Sequence, residues 1–165
     1  MGPNRDLGPC MALYDNTDLG KTLGGVKFMY TEESKPVNED QAGVTNVDEI
    51  KVGVSGCSAE VPLSRTSLAI LAKVIGGSTY STTTLKVKNN QVGVSMYDNA
   101  KVLILKPIVD GVASTNAAEW LTIGKAYPRV DMEVIFDREN QRVYKVIFKA
   151  FPDAGNANQL FKIGT

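Results

Sequence analysis

Apolar and polar residues alternate along much of the chain, with the period of a half-buried β-strand. The alternation is clearest over residues 26–32 and 47–59. Gly53 and Gly56 interrupt the second run and predict a kink or a bulge there. One side of the second predicted strand carries the apolar residues Ile50, Val52 and Val54.

Further short strands are predicted between turn signals. Asn89 and Asn90 suit a two-residue hairpin turn, and Pro107 is expected to stop the strand before it. Residues 110–128 are mixed, with a short helical turn over 116–119 and a strand starting at Trp120. The other predicted strands cover residues 10–14, 82–87, 91–96, 102–105, 130–136, 143–148 and 160–163. Eight to ten short strands predict a mainly β fold, a two-sheet β-sandwich or a barrel.

A different pattern covers residues 61–77, the only convincing amphipathic helix in the sequence. Ser64 or Thr66 suits its N-cap, Gly76 its left-handed C-terminal cap, and the helix itself is expected over about residues 65–75. Such a helix must bury its apolar face, and a sheet is the available partner. That face is predicted to consist of Leu68, Leu71, Ala72 and Ile75.

The 165 residues suit a single domain with three peripheral segments. Residues 1–9 read as an amino-terminal arm rich in Gly and Pro, and residues 155–165 as a carboxy-terminal tail. Residues 33–46 have no period, and Pro36 and Gly43 break them, so they are predicted to form a long surface loop. Loops of that length are often functional, although a plain solvated connection is the alternative.

The amino-acid composition excludes most kinds of catalytic site. The chain has no histidine, which excludes Ser-His-Asp catalysis and histidine zinc sites, and no phosphate-binding glycine motif. Residues 153–158 lack the spaced carboxylates of a calcium loop. Cys10 and Cys57 are not clustered like metal ligands, although a disulfide between them stays open. We therefore expect no catalytic residue, no cofactor and no metal.

Charge and hydropathy limit the partners. Eighteen basic and eighteen acidic side chains cancel, so no net field draws the chain to nucleic acid or an anionic membrane. No run has the ~20 apolar residues of a membrane span, and no apolar signal segment opens the chain. Unburied strand edges and peripheral segments favour association with identical copies, which gives rings if a head-to-tail contact closes.

Several short motifs together resemble bacteriophage tail tube (major tail) proteins, which are related to type VI secretion tube proteins. The similarity spans almost the whole chain. The motifs are GPCMALY (8–14), LGKTLGGV (19–26), EDQAG (39–43), VD (47–48), EVPL (60–63), EWLTI (119–123), KAYP (125–128), VYKVIF (143–148), FPD (151–153) and LFKIG (160–164).

The resemblance implies a structural subunit that forms stacked hexameric rings, a tube through which DNA passes without specific binding. It implies a tape-measure protein, a baseplate or initiator protein, a tail-terminator protein and, in a contractile tail, a sheath protein as partners. The expected location is the virion tail, after assembly in the host cytoplasm. Contacts between subunits are implied for Arg5, Asp6, Leu7, Lys35, Pro36, Val37, Asn38, Glu39, Asp40, Gln41, Gly164 and Thr165, and the tube lumen for Asp48, Lys51, Lys86 and Lys88.

Two alternatives stay open. A tube protein of a secretion system would form the same ring and differ in its genomic neighbours. A monomeric β-barrel that binds a small ligand would have a deep pocket and no tendency to assemble.

Overall fold

The computed structural model describes residues 8–89, 91–136 and 138–165. The predicted mainly β class is confirmed, with 53% of residues in strands and 10% helical. In the described chain one helix accompanies a sheet of ten strands and a small sheet of two. The elements are β1 (Cys10–Tyr14), β2 (Thr17–Asp18), β3 (Lys21–Thr22), β4 (Lys27–Asn38), β5 (Asn46–Ser64), α1 (Leu68–Val74), β6 (Ser78–Ser81), β7 (Thr84–Val87), β8 (Lys101–Val109), β9 (Val112–Ala113), β10 (Leu121–Asp131), β11 (Val143–Phe151) and β12 (Lys162–Ile163).

The large sheet is antiparallel and runs in the order β2-β1-β8-β10-β11-β5-β3. Three further strands join this path at its sides: β4 pairs with β5, β9 with β8, and β12 with β10. Strands β6 and β7 form the small sheet. Strand β5 is the longest element, at 19 residues, and lies between β11 on one side and β3 and β4 on the other.

The core is one face of the large sheet together with the helix. Strand register brings the fully buried pairs Leu103 and Ile123, and Phe148 and Ala59, opposite each other. Side chains at opposite register positions share a face, so these pairs make one continuous apolar layer. The buried residues are Ala12, Tyr14, Leu19, Cys57, Ala59, Val61, Leu63, Leu71, Val74, Leu103, Leu105, Ile123, Ala126, Val146, Phe148 and Ala150.

The predicted helix exists but is shorter, and its buried face is rotated. It begins after Ser67, whose side chain accepts a hydrogen bond from the backbone N–H of Ile70, so the predicted caps Ser64 and Thr66 were wrong. Leu71 and Val74 are its buried residues, whereas Leu68 is 40% exposed. The C-cap residue is Ile75 rather than a left-handed Gly76. Of the predicted apolar face, Ala72 and Ile75 are half-buried.

The segment assigned to the helix entry belongs to the sheet instead. Val61 and Leu63 are fully buried in β5, opposite Val146 and Tyr144 of β11. Apolar residues two apart have the period of a strand, and burial against the sheet decides between the two structures. Arg65 then turns the chain out of the sheet with φ +52°, which separates β5 from α1.

Three other strand predictions need correction. The hairpin around Asn89 was wrong: residues 84–87 pair with 78–81, and residues 91–96 contain no strand. Pro107 does not end β8. It lies opposite Cys10 in the ladder with β1, and β8 continues to Val109. The last hairpin is confirmed, but its first strand is residues 121–131 rather than 130–136.

The long loop predicted over residues 33–46 was also wrong. Strand β4 continues to Asn38 and β5 begins at Asn46, so the irregular connection is only residues 39–45. A 3₁₀ turn over Asp40–Ala42 lies within it. Polar residues on both faces hid the strand, because a hairpin exposed on both sides has no burial to impose an alternating pattern.

Candidate functional site

Beyond the body of the sheet, β4 and β5 continue as a two-stranded ribbon. Strand β11 pairs with β5 only from Ser58 to Ser64, whereas β4 pairs with β5 from Glu60 down to Asn46. Residues 32–54, here called the hairpin extension, therefore have only each other as ladder partners within the described chain. At about 3.3 Å per residue the extension reaches about 25 Å from the body.

Both faces of the hairpin extension are open to solvent, including its apolar residues. Val44 at the tip is fully exposed, at 102%, and Ile50 and Val52 are 57% and 55% exposed. A two-stranded hairpin is only marginally stable alone in water, and its outer edge is a template for another chain. The surface is therefore suited to being covered by a partner.

Bulges shape the hairpin extension. The register between β4 and β5 shifts at three places, between Thr31 and Glu32, between Glu33 and Ser34, and between Val37 and Asn38. The first two lie beside Gly56 and Gly53, where the sequence predicted a bulge. Each extra residue on β5 bends the ribbon locally and increases its twist.

The root of the hairpin extension is fastened by side chains. Tyr30 Oη donates a hydrogen bond of 2.6 Å to Glu32, and Lys51 forms an ion pair with the same carboxylate. The hydrogen bond from Lys51, with a smaller contribution from Tyr30, lowers the pKa of Glu32. In addition, the ring of Phe161 packs edge-on against Phe28 and Tyr30, with centroids 4.9 and 5.2 Å apart.

Most of the predicted contact residues fall on this one element. Lys35, Pro36, Val37 and Asn38 are on β4, and Glu39, Asp40 and Gln41 form the tip. Asp48 and Lys51, proposed for a lumen, are on the partner strand β5 of the same extension. Lys86 and Lys88 lie instead on and just after β7 of the small sheet, so the structure does not bring the four together.

The two termini differ from the extension. Arg5, Asp6 and Leu7 lie outside the described residues. The tail pairs with the body, although its residues 155–165 stay exposed or half-buried. Strand β12 pairs with β10, and the Gly164 N–H donates a 2.9 Å hydrogen bond to the Trp120 carbonyl. Thr165 is exposed.

At the opposite end of β5 a cleft opens that the sequence did not indicate. It has a volume of about 400 Å³ and is lined by Arg65, Thr66, Gln141, Arg142 and Tyr144. These residues meet because Val143 pairs with Ser64, which places the chain after β5 beside the chain before β11. Only the strand register brings them together, so composition and spacing carried no signal.

A second cleft, of about 350 Å³, lies between α1 and the sheet, where Tyr14, Lys73, Gly76, Lys101 and Tyr127 are among the lining residues. A side chain at Gly76 would meet the Tyr127 hydroxyl at 2.8 Å, so glycine keeps this cleft open. Tyr14 is 5% exposed, and its hydroxyl donates to the Ala126 carbonyl at 3.3 Å. Burial, followed by the charges of Asp15 and Tyr127, raises the pKa of Tyr14 to about 12.

The cysteines are free thiols rather than a disulfide. Burial raises the pKa of both Cys10 and Cys57, which keeps them protonated and poorly nucleophilic at neutral pH. Within the described ranges no group of three or more acidic or cysteine side chains is placed to hold a metal ion.

The helical content offers no membrane span: among the residues described, no helix combines the length and apolarity to cross a bilayer. Comparisons with known proteins add no assignment, since no protein-family model matches the chain and a search of curated proteins gives no significant match.

Proposed function

We propose that this protein is a structural subunit that assembles with copies of itself, as a phage tail tube protein does, into stacked hexameric rings enclosing a conduit for DNA. The observation that supports this most directly is the hairpin extension. It holds apolar residues away from their own core on a ribbon with an open edge, and a neighbouring copy would cover them.

The charge balance fits a conduit. Eighteen basic and eighteen acidic side chains give a net charge of zero, so the protein lacks the excess positive charge that retains DNA by counterion release. A passage for DNA works best when its wall does not bind the phosphates. The ring, the tube and the passing DNA rest on the resemblance of the sequence motifs.

Shortening the hairpin extension tests the proposal. Ser34 and Lys51 are register partners, so replacing residues 35–50 by Asn-Gly closes the hairpin with a two-residue turn. The body contains the core, so the variant is expected to fold with an unchanged circular dichroism spectrum. The purified parent protein at high concentration is expected to form rings or tubes by negative-stain microscopy, and the shortened variant is expected to stay monomeric.

The control for this experiment is Val112→Ser, which removes an apolar side chain, 68% exposed, from β9 in the body of the sheet. It is expected to assemble like the parent. Rings and tubes of the shortened variant would remove the extension from the assembly mechanism, and a parent that stays monomeric would contradict the proposed function itself.

The alternatives predict other results. A secretion-system tube protein would assemble equally, and genes for a capsid and a tape-measure protein beside this one would favour the phage. A monomeric ligand-binding module is favoured by the cleft beside α1, whose volume of about 350 Å³ lies within the range of small-molecule sites. That alternative requires a parent that remains monomeric.

A further inference from the structure

The hairpin extension is acidic relative to the rest of the chain. Only Lys35 and Lys51 are basic on it, against the acidic residues Glu32, Glu33, Glu39, Asp40, Asp48 and Glu49. Because the whole chain carries equal numbers of basic and acidic side chains, the remainder of the protein has a net positive charge. The extension of one copy and the body of another are therefore electrostatically complementary.

The cleft at the far end of β5 has the opposite charge to the tip. Arg65 and Arg142 line it, and neither forms an ion pair with another described residue. The guanidinium of Arg142 lies 4.5 Å from the centre of the Phe136 ring, which is 76% exposed. The cleft thus combines two arginines with an exposed aromatic ring, a pairing typical of binding hot spots.

The Thr66 hydroxyl oxygen is inaccessible to solvent, so a ligand in the cleft meets the guanidinium groups of Arg65 and Arg142 instead. A guanidinium group donates paired hydrogen bonds to a carboxylate, and the cleft is therefore suited to a carboxylate.

Tip and cleft lie at opposite ends of the same strand. The tip precedes Asn46, the first residue of β5, and Arg65 follows Ser64, the last. Nineteen residues of strand separate them by about 60 Å. The extension therefore cannot fold back into the cleft of its own chain, because β5 is a continuous, paired strand between the two.

We propose that the tip of the hairpin extension, through Glu39 and Asp40, docks into the Arg65 and Arg142 cleft of a second copy. Bidentate pairing with guanidinium groups orients the carboxylates. The fully exposed Val44 of the tip is covered by Phe136 beside the cleft. This inference rests on the proposed function and specifies which surfaces of two copies meet.

Such a contact is heterologous, since it joins two different surfaces. Each copy has one tip and one cleft, so every added copy leaves one tip and one cleft free for the next copy to bind. A symmetric dimer made by two identical patches would stop at two copies. The assembly that results is polar, with free tips at one end and free clefts at the other.

Charge reversal tests this pairing. The tip variant is Glu39→Lys with Asp40→Lys. The cleft variant is Arg65→Asp with Arg142→Glu, since aspartate tolerates the left-handed backbone at position 65, where φ is +52°. Each variant alone places like charges at the contact, and its critical concentration for assembly is expected to rise at least tenfold over that of the parent.

Mixing the two variants is the decisive step. In an equimolar mixture each reversed tip meets a reversed cleft and each original tip an original cleft, so tubes are expected to reappear. The matched control, Arg129→Glu with Lys149→Glu, reverses two exposed charges on β10 and β11 of the body and is expected to assemble alone. Circular dichroism checks that every variant folds, and an unfolded variant would not be rescued by mixing.

The possible results separate the two proposals. A parent that stays monomeric at every concentration contradicts the proposed function and, with it, this contact. A parent that assembles, together with tip and cleft variants that assemble equally well alone, overturns the contact and leaves the proposed function standing. Loss in each variant without recovery in the mixture also overturns the contact, because the two surfaces are then not partners.

Discussion

Tyr14 illustrates how a single side chain joins the core to the surface cleft. Its ring packs against Phe148, with centroids 5.0 Å apart, while its hydroxyl reaches the Ala126 carbonyl beside the cleft. The ring contributes apolar burial and the hydroxyl satisfies a backbone acceptor. Ionisation would place a negative charge at this buried position. The free-energy cost of that charge is what raises the pKa of Tyr14.

The pKa of Tyr14 predicts a loss of stability in alkali. The folded protein holds the proton to about pH 12, whereas an unfolded tyrosine releases it near pH 10. The folded state binds more protons in that window, so this contribution is complete below pH 10 and is lost as pH rises to 12. From pH 10 to 12, urea unfolding is expected to show the parent losing roughly 2 to 3 kcal/mol more than Tyr14→Phe. Equal losses of stability in the parent and in Tyr14→Phe would mean that the Tyr14 hydroxyl is exposed to water in the folded state.

At the scale of elements, the helix packs against the sheet with a narrow apolar face. Leu71 is 6% exposed and Val74 is fully buried, whereas Leu68, one turn earlier, is 40% exposed. A helix of seven residues has few turns to bury, so two positions supply most of its contact with the core. Its stability depends on tertiary packing, because isolated helices of this length do not persist in water.

The two leucines form a matched pair for measurement. Leu71→Ala is expected to lower the free energy of unfolding by about 2 to 5 kcal/mol, because it leaves a cavity in the core. Leu68→Ala is expected to cost less than about 1 kcal/mol, because its site is open to solvent. Chemical denaturation of both variants measures the difference. Equal costs would mean that the helix uses the face originally predicted from the sequence.

The sequence located β1, a short apolar segment, and β11, the return strand of the last hairpin, because the core buries one side of each. The alternating residues 130–136, predicted as the first strand of that hairpin, lie mostly beyond the end of β10 at Asp131. The 3₁₀ turn over Ala117–Glu119 was anticipated too, since Asn116 caps it locally. Where burial does not impose a pattern, as in the hairpin extension, the sequence suggested a loop.

The candidate site could be predicted only in part for the same reason. Residues 35–41 are contact residues only by a family resemblance, which stays a prediction, and the structure places them together on the hairpin extension. The Arg65 and Arg142 cleft could not be predicted, since residues 77 positions apart meet only through the register of β5 with β11. Likewise the sequence did not indicate how the tail pairs with the body, because the aromatic partners of Phe161 are far away in the chain.

For the whole molecule, the contrast between body and extension defines two levels of local stability. The body has a buried core on the five neighbouring strands β1, β8, β10, β11 and β5, whereas the extension is a ribbon with water on both faces. Regions with few buried contacts open at low free energy. In a dilute subunit the hairpin extension is therefore expected to open at a lower free energy than the body.

Hydrogen exchange is expected to resolve these levels. In the dilute monomer, amides of residues 32–54 are expected to exchange much faster than those of residues 58–64 in the same strand β5. In assembled tubes the extension amides are expected to slow at least tenfold, because a neighbour covers them. Extension amides that are as slow as the core in the monomer, or unchanged in tubes, would contradict a role in assembly.

The continuity of β5 from the tip of the hairpin extension into the body of the sheet has a mechanical consequence. A pull on the tip travels along the strand into residues 58–64, which pair with β11 along their whole length and with β4 or β3 on the other side at residues 58–60 and 63–64. The ladder bonds lie perpendicular to the strand, so such a load shears many of them at once instead of opening them one by one. A subunit tethered through this element would resist tension with its entire core.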